Sequence, residues 1–283
     1  MSVTFAMSCV LLGGAIELNS LSLEHVIPSQ GFQRYAVASL GNELFVANYN
    51  SQDVEVFNTR NFKLERHLNI HGLGSLCYGL ATCIYNSCLY ASDFHNDIIH
   101  RVDLSSSSAV KKWSVASGPA GLSVNKARNV VVTCGKGKKL QEYTTDGSLV
   151  REISLHLSDP RHAIQLSTGD YMVSYYTSQG VVSVVGVNGN VVRSYGCSQT
   201  SNVRQMDHPR GLAVTKNNVI LVADSKNHRV LLTDSSLNSV QVLALPIDGR
   251  LKQPWTLFLD ESQGRLYVSE NNGGRVFVFK NKV

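Results

Sequence analysis

The stretch "HPRGLAVTKNNVILVADSKNHRVLLTD", residues 208–234, decides the fold. Its apolar residues fall in short runs, Leu212 to Val214, Val219 to Ala223 and Val230 to Leu232, each bounded by polar or turn-forming residues. Runs of this length and spacing read as strands of an antiparallel meander; a helix would place apolar residues every three or four positions over a longer span. Pro209 and Gly211 set the start of the first strand, and Asp224 and Asn227 shape the hairpin between the second and third.

The pattern returns along the whole chain. With the residue before the first apolar strand as anchor, Ala36, Gly79, Gly121, Ala163, Gly211 and Thr256 align, and successive anchors are 43, 42, 42, 48 and 45 residues apart. The second run of each unit ends at Asn48, Asp93, Cys134, Tyr175, Asp224 and Glu270, and the third begins six residues later. A fourth follows links such as "TTDGS" and "GVNGN", whose Asp-Gly and Asn-Gly pairs signal hairpins. Four-stranded units of this length are the signature of propeller blades, so an all-β, six-bladed β-propeller is expected. The sixth unit stops one strand short at "VFVFKNKV". The strand-like "LSLEHVI", residues 21–27, is expected to pair beside Phe277 to Phe279 and close the ring, removing exposed edges. The chain then divides into a lead, residues 1–18, and one propeller, 19–283, with blades at about 31–70, 73–115, 117–155, 158–196, 206–245 and 251–283 plus 21–27.

On these residues the fifth unit resembles an NHL repeat: the Pro-x-Gly start and the Asp-x-x-Asn-x-Arg hairpin are both in place. Units two and six share part of the pattern, while three and four lack its Asp and Asn. The resemblance implies a six-bladed propeller similar to the carboxyl-terminal NHL domains of tripartite-motif ubiquitin ligases and of Brat- and LIN-type regulators, which bind RNA or protein. No RING, B-box or coiled-coil segment accompanies it, so ligase activity is not implied.

Composition is that of an ordinary globular chain, with 43% hydrophobic and 17% charged residues, and the formal charge of +5 is scattered along it. Six cysteines at no zinc spacing read as reduced core thiols. The apolar stretch Phe5 to Ile16 lacks a preceding cation and is too short to span a bilayer. A monomeric, cytoplasmic domain without membrane contact is expected, with secretion as the alternative.

The residue before each anchor is expected to ring the channel mouth: Tyr35, Tyr78, Ala120, His162, Arg210 and Trp255, with Arg34 and Arg161 beside them. Hairpins enlarge the same face with Tyr49, Phe94, His95, Lys136, Lys138, Lys139, Tyr176, Lys226, His228, Arg229 and Arg275. Interleaved rings and cations suit single-stranded RNA, whose bases stack and whose phosphates pair with guanidinium groups. The alternatives are a protein-binding face, or aromatics that merely wedge between blades while arginines pair with loop carboxylates. Asn48, Asp93, Asp224 and Glu270 could instead converge on Ca²⁺, as in propeller hydrolases, or each could cap its own hairpin. A zinc lyase would need about three imidazoles, and the expected ring contains only His162. There is no GxSxG, HExxH or P-loop, and "CGKGKK", residues 134–139, reads as a basic hairpin tip. The expectation is a recognition scaffold that binds single-stranded RNA or a protein partner, without cofactor and without catalysis.

Overall fold

The computed structural model describes residues 17–29, 31, 33–105, 110–177, 180–196 and 206–282. Six four-stranded antiparallel sheets form the blades of a propeller. Their inner strands, Arg34–Leu40, Leu80–Cys83, Pro119–Val124, Pro160–Gln165, Pro209–Val214 and Pro254–Asp260, each touch the next around the axis. Among the described residues there is no α-helix, and no helix long and apolar enough to cross a membrane.

The strands read as near-continuous apolar runs because both faces of each sheet are covered. The fifth blade shows the arithmetic. Leu221 and Ala223 pack with Leu257, Leu266 and Val268 of the sixth blade, while Ile220 and Val222 pack with Met172 and Val184 of the fourth. Alternation along a strand therefore separates two neighbours, not core from solvent. Six apolar clusters result, one at each junction between adjacent blades. Only the outermost strands meet water, and Leu64–Asn69 and Val191–Tyr195 are exposed along most of their length.

The ring closes as the sequence predicts. Strand Leu21–Ile27 pairs antiparallel with Val276–Asn281, setting Leu23 against Phe279 and Val26 against Phe277. The register shifts between Leu23 and His25. At that bulge the Glu24 carboxylate accepts two 2.6 Å bonds from the Arg265 guanidinium. Cys77, Cys83, Cys88 and Cys134 are buried free thiols. Cys9, Cys197 and all but the last two residues of the predicted lead lie outside the described residues.

Candidate ligand-binding site at the axial mouth

The site is built by a repeated irregularity. In five blades the ladder between the inner and second strands slips immediately after its first residue, at Arg34/Ala36, Pro119/Gly121, Pro160/His162, Pro209/Leu212 and Pro254/Leu257. A bulge re-aims the extra side chain, here toward the axis. Serines of the second strands take over bonds the slipped ladder leaves open. Ser92 Oγ accepts from Gly79 N–H at 2.8 Å, Ser269 Oγ accepts from Thr256 N–H at 3.0 Å, and Ser174 Oγ donates to Arg210 C=O at 2.6 Å.

The anchors are small because the inner strands converge. A Cβ on Gly121 would lie 2.4 Å from Arg161 C=O, and one on Gly211 would lie 2.7 Å from Trp255 C=O. The fourth blade corrects the sequence alignment by one residue. Pro160 pairs with Tyr175 just as Pro209 pairs with Asp224, so His162, not Ala163, holds the anchor position and Arg161, not His162, belongs to the ring. Aligning "DPRHA" with "HPRGL" on their shared Pro-Arg would have found it.

The ring is therefore Tyr35, Tyr78, Ala120, Arg161, Arg210 and Trp255. Its members and their hairpin neighbours form a near-continuous chain of ring and cation contacts. Arg161 and Arg210 lie 4.6 and 3.9 Å from the Tyr176 ring, and Arg210 lies 3.6 Å from Trp255. Trp255 stacks on Tyr35 at 5.0 Å, Tyr35 meets Tyr78 at 4.9 Å, Tyr78 meets Phe94 at 4.8 Å, and Lys136 covers Phe94 at 4.8 Å. Contacts of this kind are worth about 0.5–1.5 kcal/mol each beyond area burial. Ala120, without a ring or a charge, interrupts the chain of contacts at the third blade.

Inside the ring lies a cavity lined by Tyr78, Ala120, Arg161, His162, Arg210 and Trp255, about 420 Å³ with its open mouth, in which water-sized groups can centre themselves over about 40 Å³. A second cavity of about 250 Å³ lies between the inner strands. Leu80, Leu122, His162 and Thr256 line both cavities.

Arg210 is 8% exposed, and its Nε has no hydrogen-bond partner. Burial, followed by the nearby Arg161 guanidinium, pulls Arg210 below its ordinary pKa, although a guanidinium stays charged at neutral pH. Arg161 bonds Asp159 at 2.6 Å, while its own Nε is likewise without a partner. His162 accepts from Leu212 N–H through Nδ1 and faces Leu122 C=O through Nε2, both at 2.9 Å. Burial holds its pKa down, so it is a neutral strut across blades three to five. Burial also raises Tyr35 to about 12.

Several other predicted residues leave the site. Arg34 is buried against Glu55 at 3.2 Å and bonds Ile27 C=O, tying the closing strand to the first blade. Arg229 bonds Asp224 at 2.6 Å, Arg275 bonds Glu270 at 2.8 Å, and Lys139 turns outward to Glu152. His228 Nδ1 accepts from Gln253 N–H at 3.0 Å, stapling the fifth blade to the sixth. Lys136, Lys138 and Lys226 remain exposed around the mouth.

The acidic set does not converge on the axis. Asp93 accepts from Gly74 N–H and Asn96, Asp224 from Asp207 N–H, Asn227 and Arg229, and Glu270 from Lys252 N–H and Arg275. Each carboxylate thus closes its own hairpin onto the loop leading into the same blade, and Asn48 occupies the matching position with its Oδ1 unpartnered. Among the described residues no three His, Cys, Asp or Glu side chains are grouped to hold a metal ion. Sequence reasoning passed over two carboxylates, Asp159, which bonds Arg161, and Asp207, which bonds His208; both sit just before a blade's Pro-Arg, which is the signal that marks them.

The NHL repeat family matches residues 206–231. No curated protein sequence matches the chain. Among solved structures, virginiamycin B lyase from Staphylococcus aureus is similar with a TM-score of 0.68 at 10% identity, covering 93% of this chain and 100% of that one. Hydrazine synthase from Kuenenia stuttgartiensis follows at 0.66 and 14%, covering 91% and 98%, and the WD40 propeller domain of Doa1 at 0.64 and 13%, covering 93% and 97%. These likenesses show the fold. The NHL repeat and the six-bladed propeller are thereby supported; the narrower likeness to tripartite-motif, Brat and LIN-type domains is not. The expectation that the chain is no enzyme is corrected: a lyase uses the same propeller over nearly the whole length, so missing hydrolase and phosphate-loop motifs do not set this architecture apart from catalysis.

Proposed function

We propose that this NHL-repeat propeller is a recognition module that binds a polypeptide partner across its axial face. The observation that carries the reading is how the face uses its cations. Arg34, Arg229 and Arg275, expected to grip phosphates, are committed to buried carboxylates. What faces a partner is an aromatic rim, Tyr49, Tyr78, Phe94, Tyr176 and Trp255, with a few separated lysines. A track for single-stranded RNA needs a continuous cationic groove beside free ring faces, whereas here the rings stack on one another. Aromatic anchors with scattered charge are the composition of protein-binding hot spots.

The test is selection of peptides displayed with free carboxyl ends, followed by affinity measurements on Tyr49→Ala and Phe94→Ala. Selected peptides should lose about tenfold or more in affinity on these variants, whose melting temperatures should hold. Peptides indifferent to both variants would sink the reading. So would tight binding of a random RNA pool with a log–log salt slope of about −0.7 per phosphate contacted.

A second reading rests on one observation. His208 Nδ1 bonds Asp207 and its ring meets Tyr176 at 4.1 Å, which sets an imidazole–carboxylate pair on the same face as Arg210. Such a pair can move a proton, and a lyase-type elimination requires that step. Loss of any detected turnover in His208→Ala, with folding retained, would support it.

A further inference from the structure

We infer that the axial mouth is a receptor for a terminal carboxylate, the free end of a polypeptide, held between Arg210 and Arg161. The inference rests on the polypeptide reading above and deepens it. Charge comes first. Two guanidinium groups share one carboxylate, Asp159, which bonds Arg161; Arg210 feels Asp159 and bonds the Tyr176 hydroxyl but forms no ion pair of its own among the described residues. His162 adds no charge, because its Nδ1 accepts a backbone N–H and its Nε2 faces a carbonyl. The cavity is therefore lined by two guanidinium groups and by no carboxylate side chain. A buried guanidinium without an ion pair is costly, and a monoanion bound to it lowers that cost. Both arginines line the cavity and the Nε of each is buried without a partner, so each has a donor to give an anion.

Size and access select among monoanions. A site of about 40 Å³ in this measure holds roughly three water-sized groups, which matches the carbon and two oxygens of a carboxylate. A phosphate monoester carries about −1.5 to −2 charge, more than Arg210 balances while Arg161 is bonded to Asp159. An internal phosphodiester carries one charge but must bring a nucleotide on either side. A chain end brings its carboxylate to the cavity from one side only, through the open mouth. Tyr78 and Trp255, which line the cavity, offer rings to the last side chain.

The same chemistry could come from a small free acid, and the experiment separates the two. Peptides from the selection are synthesised with a free carboxyl end and as amides, then titrated beside phenylacetate, inorganic phosphate and the RNA pool against wild type, Arg210→Gln and Arg161→Gln. The free acids should bind about tenfold or more tighter than the amides, and the advantage should vanish in Arg210→Gln. Amides that bind equally well overturn the carboxylate receptor while the polypeptide reading stands. Phenylacetate binding as tightly as the peptides assigns the site to small acids and overturns the chain-end inference. Preference for phosphate or for RNA overturns it too. Failure of every peptide removes both readings. The acid–amide comparison on wild type needs no variant, so a misfolded Arg210→Gln leaves the inference open to refutation.

Discussion

Arg34 and Arg210 stand one position apart in the repeat, yet only one of them can meet a ligand. Arg34 is the paired residue of its strand, points into the blade and finds Glu55; Arg210 is the extra residue of a bulge and points to the axis. Replacing Arg34 by Ala strands the Glu55 carboxylate in a site that is 3% exposed. We expect a loss of about 3–5 kcal/mol, read from urea unfolding. The anchors carry the opposite hazard. Gly211→Ala drives a methyl group against Trp255 C=O and the backbone of the sixth blade, and should cost about 1–3 kcal/mol by overpacking. Unchanged stability would show that the inner strands are less tightly converged than their geometry indicates.

At the scale of strands and hairpins, the blades are joined by polar links as well as apolar faces. Glu142 of the third blade accepts from Asn125 and Asn129 at 2.7 Å and from the Tyr171 hydroxyl of the fourth at 2.9 Å. Burial raises its pKa, but these bonds outweigh burial and hold it below the ordinary value. Glu142→Leu should cost about 2–3 kcal/mol by orphaning three donors. The histidines set the pH response of the same junctions. His162, His100 and His228 are all held below their ordinary pKa, burial being the first cause in each. The unfolded chain takes up protons near pH 6.5 where the folded chain resists them, so stability is full above that pH and falls as pH drops below it. Urea midpoints at pH 7.5 and 5.5 should show the fall, and His162→Gln should lessen it.

For the whole molecule the decisive contact is the pairing of the two chain ends. Leu21–Ile27 completes the sixth sheet, and its Ile27 joins Val37, Leu44 and Val46 in the cluster between blades six and one. Removing residues 17–27 exposes an edge strand and that cluster together, so the melting transition should fall for all six blades at once. Loss of a single blade's cooperativity, with the rest melting as before, would contradict a closed ring. The Glu24–Arg265 pair isolates the latch: each single charge reversal should destabilise the ring, and the double reversal should recover part of the loss, measured as a double-mutant cycle.

Sequence alone determined the number of blades, their strand count and the closing strand, because these follow from spacing and from apolar runs that only a sheet buried on both faces sustains. It offered the Asp and Glu hairpin closures only as one of two alternatives, on the ground that a carboxylate repeated in register does the same local work in each unit, and the loop bonds of Asp93, Asp224 and Glu270 decided between them. Tertiary structure decided which polar residues are available. A one-residue slip exchanges the two faces of a strand, so the ring membership of Arg161 and the anchoring of His162 rest on register in the fourth blade. Whether a cation faces a ligand or a buried acid depends on partners distant in the chain, such as Glu55 for Arg34, and the cavity that Arg161 and Arg210 share without a carboxylate in its lining is visible only when all six blades stand around one axis.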